Sequence, residues 1–322
     1  MARYLITGVA GFIGSSLAHE LLQQGHEVIG VDNLTAGDVH NLDGIIRDLD
    51  FRVMDVNETS RLRECCRGVD FVLHQAALAS VPRSVRDPLS THVANVDGTL
   101  SVLLAARDAG VSRVVYAASS SAYGNKSSQP KHEEMLPDPL SPYAAQKLAG
   151  EYYVRSFWHV YGLEGVCLRY FNVFGPRQSS DSPYSGVIAK FASEMLKGES
   201  PLIFGDGNQS RDFTFIDNVV SANLLACTTP AAEVSGKVFN IGTGQSHTLN
   251  QTYDLLAHFL CFKKKALYTA PRLGDVQHSE ADLSLSKRTL KYAPVSNFKD
   301  GIAKTVQWFL EREALTITKH TA

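Results

Sequence analysis

The run Leu5-Ile6-Thr7-Gly8-Val9-Ala10-Gly11-Phe12-Ile13-Gly14 constrains this chain more than any other stretch. Its glycines stand three and three apart, after an apolar run and before residues that form a helix. Glycine permits a tight turn and lets the backbone come close to a ligand. A helix starting near Phe12 aims free N–H groups and the positive end of its dipole at that turn. Such a strand, turn and helix cradle a pyrophosphate, with Gly8, Gly11, Phe12, Ile13 and Gly14 against it. Asp32 closes the next apolar run, 18 residues after Gly14. A carboxylate there accepts both hydroxyls of an adenosine ribose and repels an extra phosphate. Asn33 and Leu34 follow it, not an arginine, so NAD is expected rather than NADP.

Short β-branched runs recur at Tyr4 to Thr7, Val28 to Val31, Phe71 to Leu73, Val114 to Ala117 and Val166 to Leu168. Segments of helical length lie between them, such as Ser15 to Gln24 and Thr99 to Ala109. That alternation predicts an α/β chain built on a doubly wound parallel sheet of Rossmann type. The regularity ends near Phe174-Gly175-Pro176, where turn-rich stretches begin. The run Lys237 to Gly244 reads as one more buried strand, and Ile302 to Glu313 has helical spacing. We therefore expect a NAD-binding domain of residues 1–175 plus about 212–245. A smaller, interleaved substrate domain takes 176–211 plus 246–322.

With 322 residues, 44% of them hydrophobic, the chain can bury a sizeable core. A net charge of -2 gives no electrostatic case for nucleic acid or an acidic membrane. The lysines at 263, 264 and 265 read as a solvated turn. Five dispersed cysteines show no metal-ligand spacing, so no metal is expected, and they fit a reduced, cytoplasmic setting. The N-terminal apolar run is short and broken by glycines, unlike a secretory signal or a membrane span.

The catalytic candidates lie further on. Ser119, Ser120 and Ser121 follow an apolar strand, and Ser141-Pro142-Tyr143-Ala144-Ala145-Gln146-Lys147 opens a helix of about Pro142 to Tyr161. Tyr143 and Lys147 then share one helical face. A nearby ammonium should stabilise the phenolate and lower the tyrosine from its usual ~10 towards neutrality. The product is a base, with Ser119 bonding the same substrate oxygen. Asp55 and Val56, then Gln75, Ala76 and Ala77, end two more strands at the edge where such a sheet binds its ligand.

With these motifs the sequence resembles the extended short-chain dehydrogenase/reductase family, and in particular its nucleotide-sugar 4-epimerases. The stretches TGVAGFIG, HQAA, SSSAYG, SPYAAQK, LRYFNVFGPRQ, GDGNQSRDF, FNIGTG and RLGDVQHSEAD carry the likeness over nearly the whole chain. The resemblance implies that Ser119, Tyr143 and Lys147 form the catalytic triad. Asn95 then supports the lysine's proton relay and backs the cofactor pocket, and Tyr170 and Val173 also touch the cofactor. Asn172, Arg211 and Arg272 would meet the diphosphate, where guanidinium suits a pyrophosphate. Asp275 would meet the ribose, and Val187 with Leu202 to Phe204 would form the uracil pocket. Arg83 lies near the site in relatives. Relatives also dimerise through two helices, here about 99–109 and 142–161, so a homodimer is expected. Leu103, Leu104, Tyr152 and Phe157 supply extra apolar surface for it.

The 4,6-dehydratases carry threonine, aspartate and glutamate where this chain has Ser119, Ser120 and Ser121. Removing water needs an acid and a base, which hydroxyls do not supply, so epimerisation is expected instead. The 4-hydroxyl of a UDP-sugar is oxidised to a transient ketone, which turns and is reduced from its other face. The family's gate on sugar bulk falls at Ser279, where a small residue admits an N-acetyl group, and Ser120 and Ser121 could bond it. UDP-N-acetylglucosamine is thus the expected substrate. A UDP-glucose or UDP-glucuronate 4-epimerase, a cofactor-releasing oxidoreductase and a non-catalytic NAD-binding protein are the alternatives.

Overall fold

The computed structural model describes residues 1–180, 186–271 and 276–320, with side chains through residue 312. Seven parallel strands form the main sheet: β1 (Arg3–Thr7), β2 (Glu27–Asp32), β3 (Asp50–Val53), β4 (Phe71–His74), β5 (Arg113–Ser119), β6 (Glu164–Tyr170) and, much later, β11 (Lys237–Ile241). Their order across the sheet is β11-β6-β5-β4-β1-β2-β3. The chain therefore runs outward in one direction from β1 and then in the other from β4. The point where it reverses, between β1 and β4, opens a crevice at the C-terminal strand ends. Leu5, Val31, Val72, Leu73, Val114, Val115 and Leu168 are wholly buried, as a parallel sheet covered on both faces requires.

Helices α1 (Phe12–Gln23), α2 (Thr59–Cys65), α3 (Val81–Arg86), α4 (Pro88–His92), α5 (Gly98–Ala109) and α6 (Pro142–Tyr161) belong to the first half. Between α4 and α5 the helix widens into a π turn, Val93–Asp97, with Asn95 inside it. Ser141 caps α6 by accepting from the Ala144 N–H, Pro142 takes the first turn, and Gly162 ends it at φ 72°.

The second half contributes α7 (Val187–Leu196), α8 (Ile216–Thr228), α9 (Ala231–Val234), α10 (Leu249–Phe259), α11 (Ser284–Thr289) and α12 (Phe298–His320). Its strands are short. β7 (Val173–Phe174) pairs with β10 (Thr214–Phe215), and β8 (Leu202–Phe204) with β13 (Leu267–Thr269). β9 (Ser210–Arg211) lies between β12 (His247–Thr248) and β14 (His278–Ser279).

Several expectations need correction. The final helix begins at Phe298 rather than Ile302 and runs to His320. Strand β3 stops at Val53, so Asp55 and Val56 lie in the loop beyond it. Leu103 and Phe157 face inward, at 1% and 5% exposure, because the core between α5, α6 and the sheet takes them. The three consecutive lysines are exposed, and Lys264 Nζ reaches the Gly198 carbonyl at 2.6 Å.

Candidate cofactor and active site

The glycine turn leaves no room for side chains. Gly8 sits at φ 71°, and a Cβ there would lie 2.8 Å from the Ala76 backbone. A Cβ on Gly14 would lie 2.1 Å from the Gly8 carbonyl oxygen. Backbone thus packs on backbone, and the N-terminus of α1 faces the crevice uncovered. Asp32 is 7% exposed and accepts from the Ala10 N–H at 2.9 Å and the Leu34 N–H at 2.8 Å. Burial raises its pKa, and those two bonds oppose the shift. Each carboxylate oxygen keeps a second lone pair for a ligand hydroxyl. Asn33 donates to Asp55 at 2.7 Å, closing the adjacent wall.

A cavity of about 380 Å³ follows this edge. Gly8, Gly11, Phe12, Ile13, Gly14, Asp32, Asn33, Asp55, Val56, Gln75, Ala76, Ala77 and Arg83 all line it. A bare glycine turn, a carboxylate at the second strand and a long groove fit a dinucleotide such as NAD. Gln178, Ser179 and Gly186 line it too. The sequence reading missed them because they fall in the turn-rich stretch, where no periodicity marks them.

Five expected cofactor contacts, Asn95, Tyr143, Lys147, Tyr170 and Val173, do not line this cavity, and two of them bond to residues that do. Asn95 is 1% exposed; its Oδ1 accepts from the Leu78 N–H at 2.8 Å, and its Nδ2 donates to Gln146 at 2.9 Å. Tyr170 is 8% exposed and bonds Gln75 and Asn223. Their polar atoms hold the residues that line the groove. Val173 lies on β7, paired with Thr214.

Ser119 ends β5, next to the Gln75–Ala77 wall. Its Oγ caps a short turn, accepting from the Ser121 N–H at 3.2 Å, with Ser121 Oγ at 2.9 Å. Ser120 and Ser121 are half-buried in that turn. The Tyr143 N–H donates to Ser84 Oγ at 3.0 Å, and the neighbouring Ser119 hydroxyl favours its phenolate. Lys147 is 4% exposed; its ammonium donates to the Ala117 carbonyl at 2.9 Å and lies 5.0 Å from the Tyr116 ring centroid. Burial depresses Lys147 to about 8, against the opposing charge of Glu151.

The expected lowering of the tyrosine is not what this arrangement gives. Burial raises the Tyr143 pKa, and the neighbouring Ser119 hydroxyl works against it. Desolvation of the phenolate outweighs the lysine, whose ammonium is directed at Ala117. Nearby His74 is fully buried between Thr7 and Thr99 hydroxyls and held neutral, its pKa pushed down to about 3.

In the second half, Arg211 and Ser279 are direct partners in the β9–β14 pairing. Arg211 donates to the Ser210 and Gln277 carbonyls, and Ser279 is 9% exposed. Gln209 Nε2 donates to the Phe204 carbonyl at 2.6 Å, tying β9 to β8 and so to Leu202 and Phe204. Val187 opens α7 directly after the cavity residue Gly186. Asn172 is exposed with a strained φ of 24°. Arg272 and Asp275 lie outside the described residues.

The wall bearing Ser279 is held from two sides. Gln129 donates to the His278 carbonyl at 2.5 Å and accepts from the Glu280 N–H at 3.2 Å. Lys131 bridges Ala281 through backbone bonds with Glu280 and Asp282. Opposite, the buried Asp212 carboxylate accepts from the N–H groups of Thr243, Gly244 and Ala281. Asp212 follows Arg211 in the sequence, and only its burial shows its role.

The profile of the NAD dependent epimerase/dehydratase family matches residues 4–242. The chain belongs to this family. Among its relatives, a UDP-glucose 4-epimerase of Mycolicibacterium smegmatis is 39% identical, covering 95% of this chain and 98% of its own length. A UDP-glucuronate 4-epimerase of Thermodesulfobacterium geofontis is 34% identical over 97% of both. A solved UDP-N-acetylglucosamine 4-epimerase of Methanobrevibacter ruminantium, in complex with UDP-N-acetylmuramic acid, superposes with a TM-score of 0.92. It is 37% identical and covers 97% of this chain and 99% of its own. NAD is the cofactor of this epimerase/dehydratase family, and the chain is an enzyme of it. Among the described residues, no helix is long and apolar enough to cross a membrane.

Proposed function

We propose that this chain interconverts UDP-N-acetylglucosamine and UDP-N-acetylgalactosamine by NAD-dependent epimerisation at C4. The observation that carries the reaction type is the meeting of Ser119 and the Tyr143 phenol beside the dinucleotide groove, with serines rather than acids at 120 and 121. Tyr143 takes the proton of the sugar 4-hydroxyl, and Ser119 holds the same oxygen. Lys147, fixed on Ala117, keeps a positive charge one helical turn from Tyr143. NAD, when bound, supplies the oxidising and then the reducing equivalent at C4. The ketone turns about its bond to the diphosphate and takes its proton back from Tyr143 on the other face. Arg211, Asn172, Val187, Leu202 and Phe204 hold the UDP half, with Arg272 and Asp275 assigned there by resemblance. Binding energy then sits away from the reacting centre, and the sugar stays free to turn.

The choice of an acetylated sugar rests on Ser279, small and paired with Arg211. We also assign residues 1–175 with about 212–245 to NAD, and 176–211 with 246–322 to the UDP-sugar. A homodimer through α5 and α6 is supported by exposed Tyr152 and Tyr161 on α6, at 51% and 52%. A reducing, cytoplasmic compartment suits five unpaired cysteines.

The test is an NMR time course without added cofactor, offering UDP-N-acetylglucosamine, UDP-glucose and UDP-glucuronate separately. The galacto epimer of the acetylated sugar should appear, and Tyr143→Phe should abolish it. Turnover of a plain or acidic sugar alone would overturn the Ser279 reading and keep the reaction. A requirement for stoichiometric added NAD would make the chain an oxidoreductase. No turnover by a protein with bound NAD would leave a non-catalytic role.

A further inference from the structure

We propose that His74 is a positioning residue for the cofactor groove: carrying its proton on Nε2, it joins Thr7 to Thr99 and so clamps the wall 76–78 at both ends. The inference rests on the groove as the NAD site. His74 ends β4, pairs with Thr7 in the sheet, and stands where the strand order reverses between β1 and β4. Thr7, His74 and Thr99 are all buried, and none of them lines the groove. The ring meets Thr7 Oγ1 at 2.7 Å through Nδ1 and Thr99 Oγ1 at 3.0 Å through Nε2.

The donors and acceptors around the ring fix where each proton lies. Thr99 Oγ1 is 2.6 Å from the Asn95 carbonyl oxygen, which can only accept. The single Thr99 proton is therefore committed to Asn95, and Thr99 has only lone pairs to offer His74. Nε2 must carry the ring proton. Burial and the nearby Lys147 charge keep the ring from taking a second one. Nδ1 is then a bare acceptor, and the Thr7 hydroxyl donates to it. The Thr7 oxygen in turn accepts from the Ala76 N–H at 3.2 Å. The bonds run in one direction from Ala76 to Asn95, and each polarises the next.

Both ends of this chain hold the groove. Ala76 lines it, and the Ala76 backbone lies 2.8 Å from where a Gly8 Cβ would stand. Thr7, directly before Gly8, thus sets the spacing between the glycine turn and the wall facing it. At the other end, Asn95 Oδ1 accepts from the N–H of Leu78, which also lines the groove. The gap calls for a rigid ring with a donor on one side and an acceptor on the other. Neutral imidazole supplies both, whereas lysine or arginine would offer donors only and set a second charge near Lys147.

Two measurements test this. Nitrogen NMR of wild-type protein carrying isotope-labelled histidine, at neutral pH, should show a bare Nδ1 and a protonated Nε2 on His74, assigned by its through-space contacts to Thr7 and Thr99. A proton on Nδ1, or on both nitrogens, would overturn the proposal. The second is calorimetric titration of NAD into cofactor-stripped Thr7→Val, Thr99→Val and the double variant. Each change keeps the side-chain shape and removes one hydroxyl. Each single variant should bind NAD roughly five- to tenfold more weakly, the worth of one hydrogen bond. The double variant should lose far less than the product of the two, because both break the same chain. Wild-type affinity in the folded variants, with only a lower melting temperature, would reduce His74 to a structural part and overturn the proposal, as would losses that multiply. A wild-type protein that takes up no NAD would overturn the reading of the groove, and this inference with it.

Discussion

Lys147 and Glu151 stand one turn apart on α6 and turn their charges to different partners. The Lys147 ammonium donates to the Ala117 carbonyl at 2.9 Å, while Glu151 receives two bonds from Arg169, at 2.9 and 2.7 Å. Lys147 is therefore buried without an ion pair, and burial holds its pKa near 8.

This has a measurable pH signature. In an unfolded chain the same lysine titrates near 10.4. Between about 8 and 10.4 the unfolded chain binds the extra proton, so this group's contribution to stability rises with pH. Below that window both states are charged and the burial penalty is fully present. Wild-type protein should gain about 2 kcal/mol on Lys147→Met between pH 7.5 and 10, read as the difference in urea unfolding free energy. A difference that stays flat across this range would contradict a depressed Lys147.

Glu151→Gln should destabilise the fold. The Arg169 and Glu151 side chains are 4% and 3% exposed, so the variant leaves a buried guanidinium without its counter-charge. Losses of about 3–5 kcal/mol are expected for such a broken pair. Replacing both residues by apolar ones of similar size should recover most of that stability, again by urea unfolding. If the single and double variants are equally unstable, packing and not charge is what the pair provides.

Asp32→Asn should weaken NAD by roughly tenfold, the scale of one charge-assisted hydrogen bond. NADP, repelled by the carboxylate in wild type, should bind the variant no worse than before. Calorimetric titration of cofactor-stripped protein measures both. An unchanged preference for NAD would mean that Asp32 only holds the Ala10 and Leu34 N–H groups.

Ser279→Tyr should abolish turnover of the acetylated sugar and leave UDP-glucose turnover within a few-fold. The NMR time course reads both substrates on one sample. Loss of both would show that the larger side chain disturbs the Arg211 pairing rather than the sugar pocket.

The parallel sheet was legible because its strands are continuous apolar runs, and the glycine turn because steric demands leave glycine no substitute. Helix α6 was readable to its ends, since Ser141, Pro142 and Gly162 each mark a terminus by a local rule. Residues whose role depends on burial escaped. Asp212, Gln129 and the Glu151–Arg169 pair carry no local pattern, and only the folded chain brings their partners within reach. The direction of the Tyr143 shift was misjudged for the same reason, because spacing reports a lysine nearby but not the loss of water around the phenol. Leu103 and Phe157 fit an interface as well as a core in sequence, because a helix with two buried faces looks there like one with a partner.

The strap from Gln129 and Lys131 to residues 278–282 joins the loop after Ser119, Ser120 and Ser121 to the wall that carries Ser279. On the proposed assignments, the machinery for moving a proton and the gate on the sugar form one mechanical part made from two distant stretches of chain. Sugar preference should then resist transplantation by short grafts. A chimera that exchanges 119–133 with a relative, and leaves 278–282 behind, inherits a loop whose anchor points no longer match. Only an exchange of both stretches carries a preference across intact.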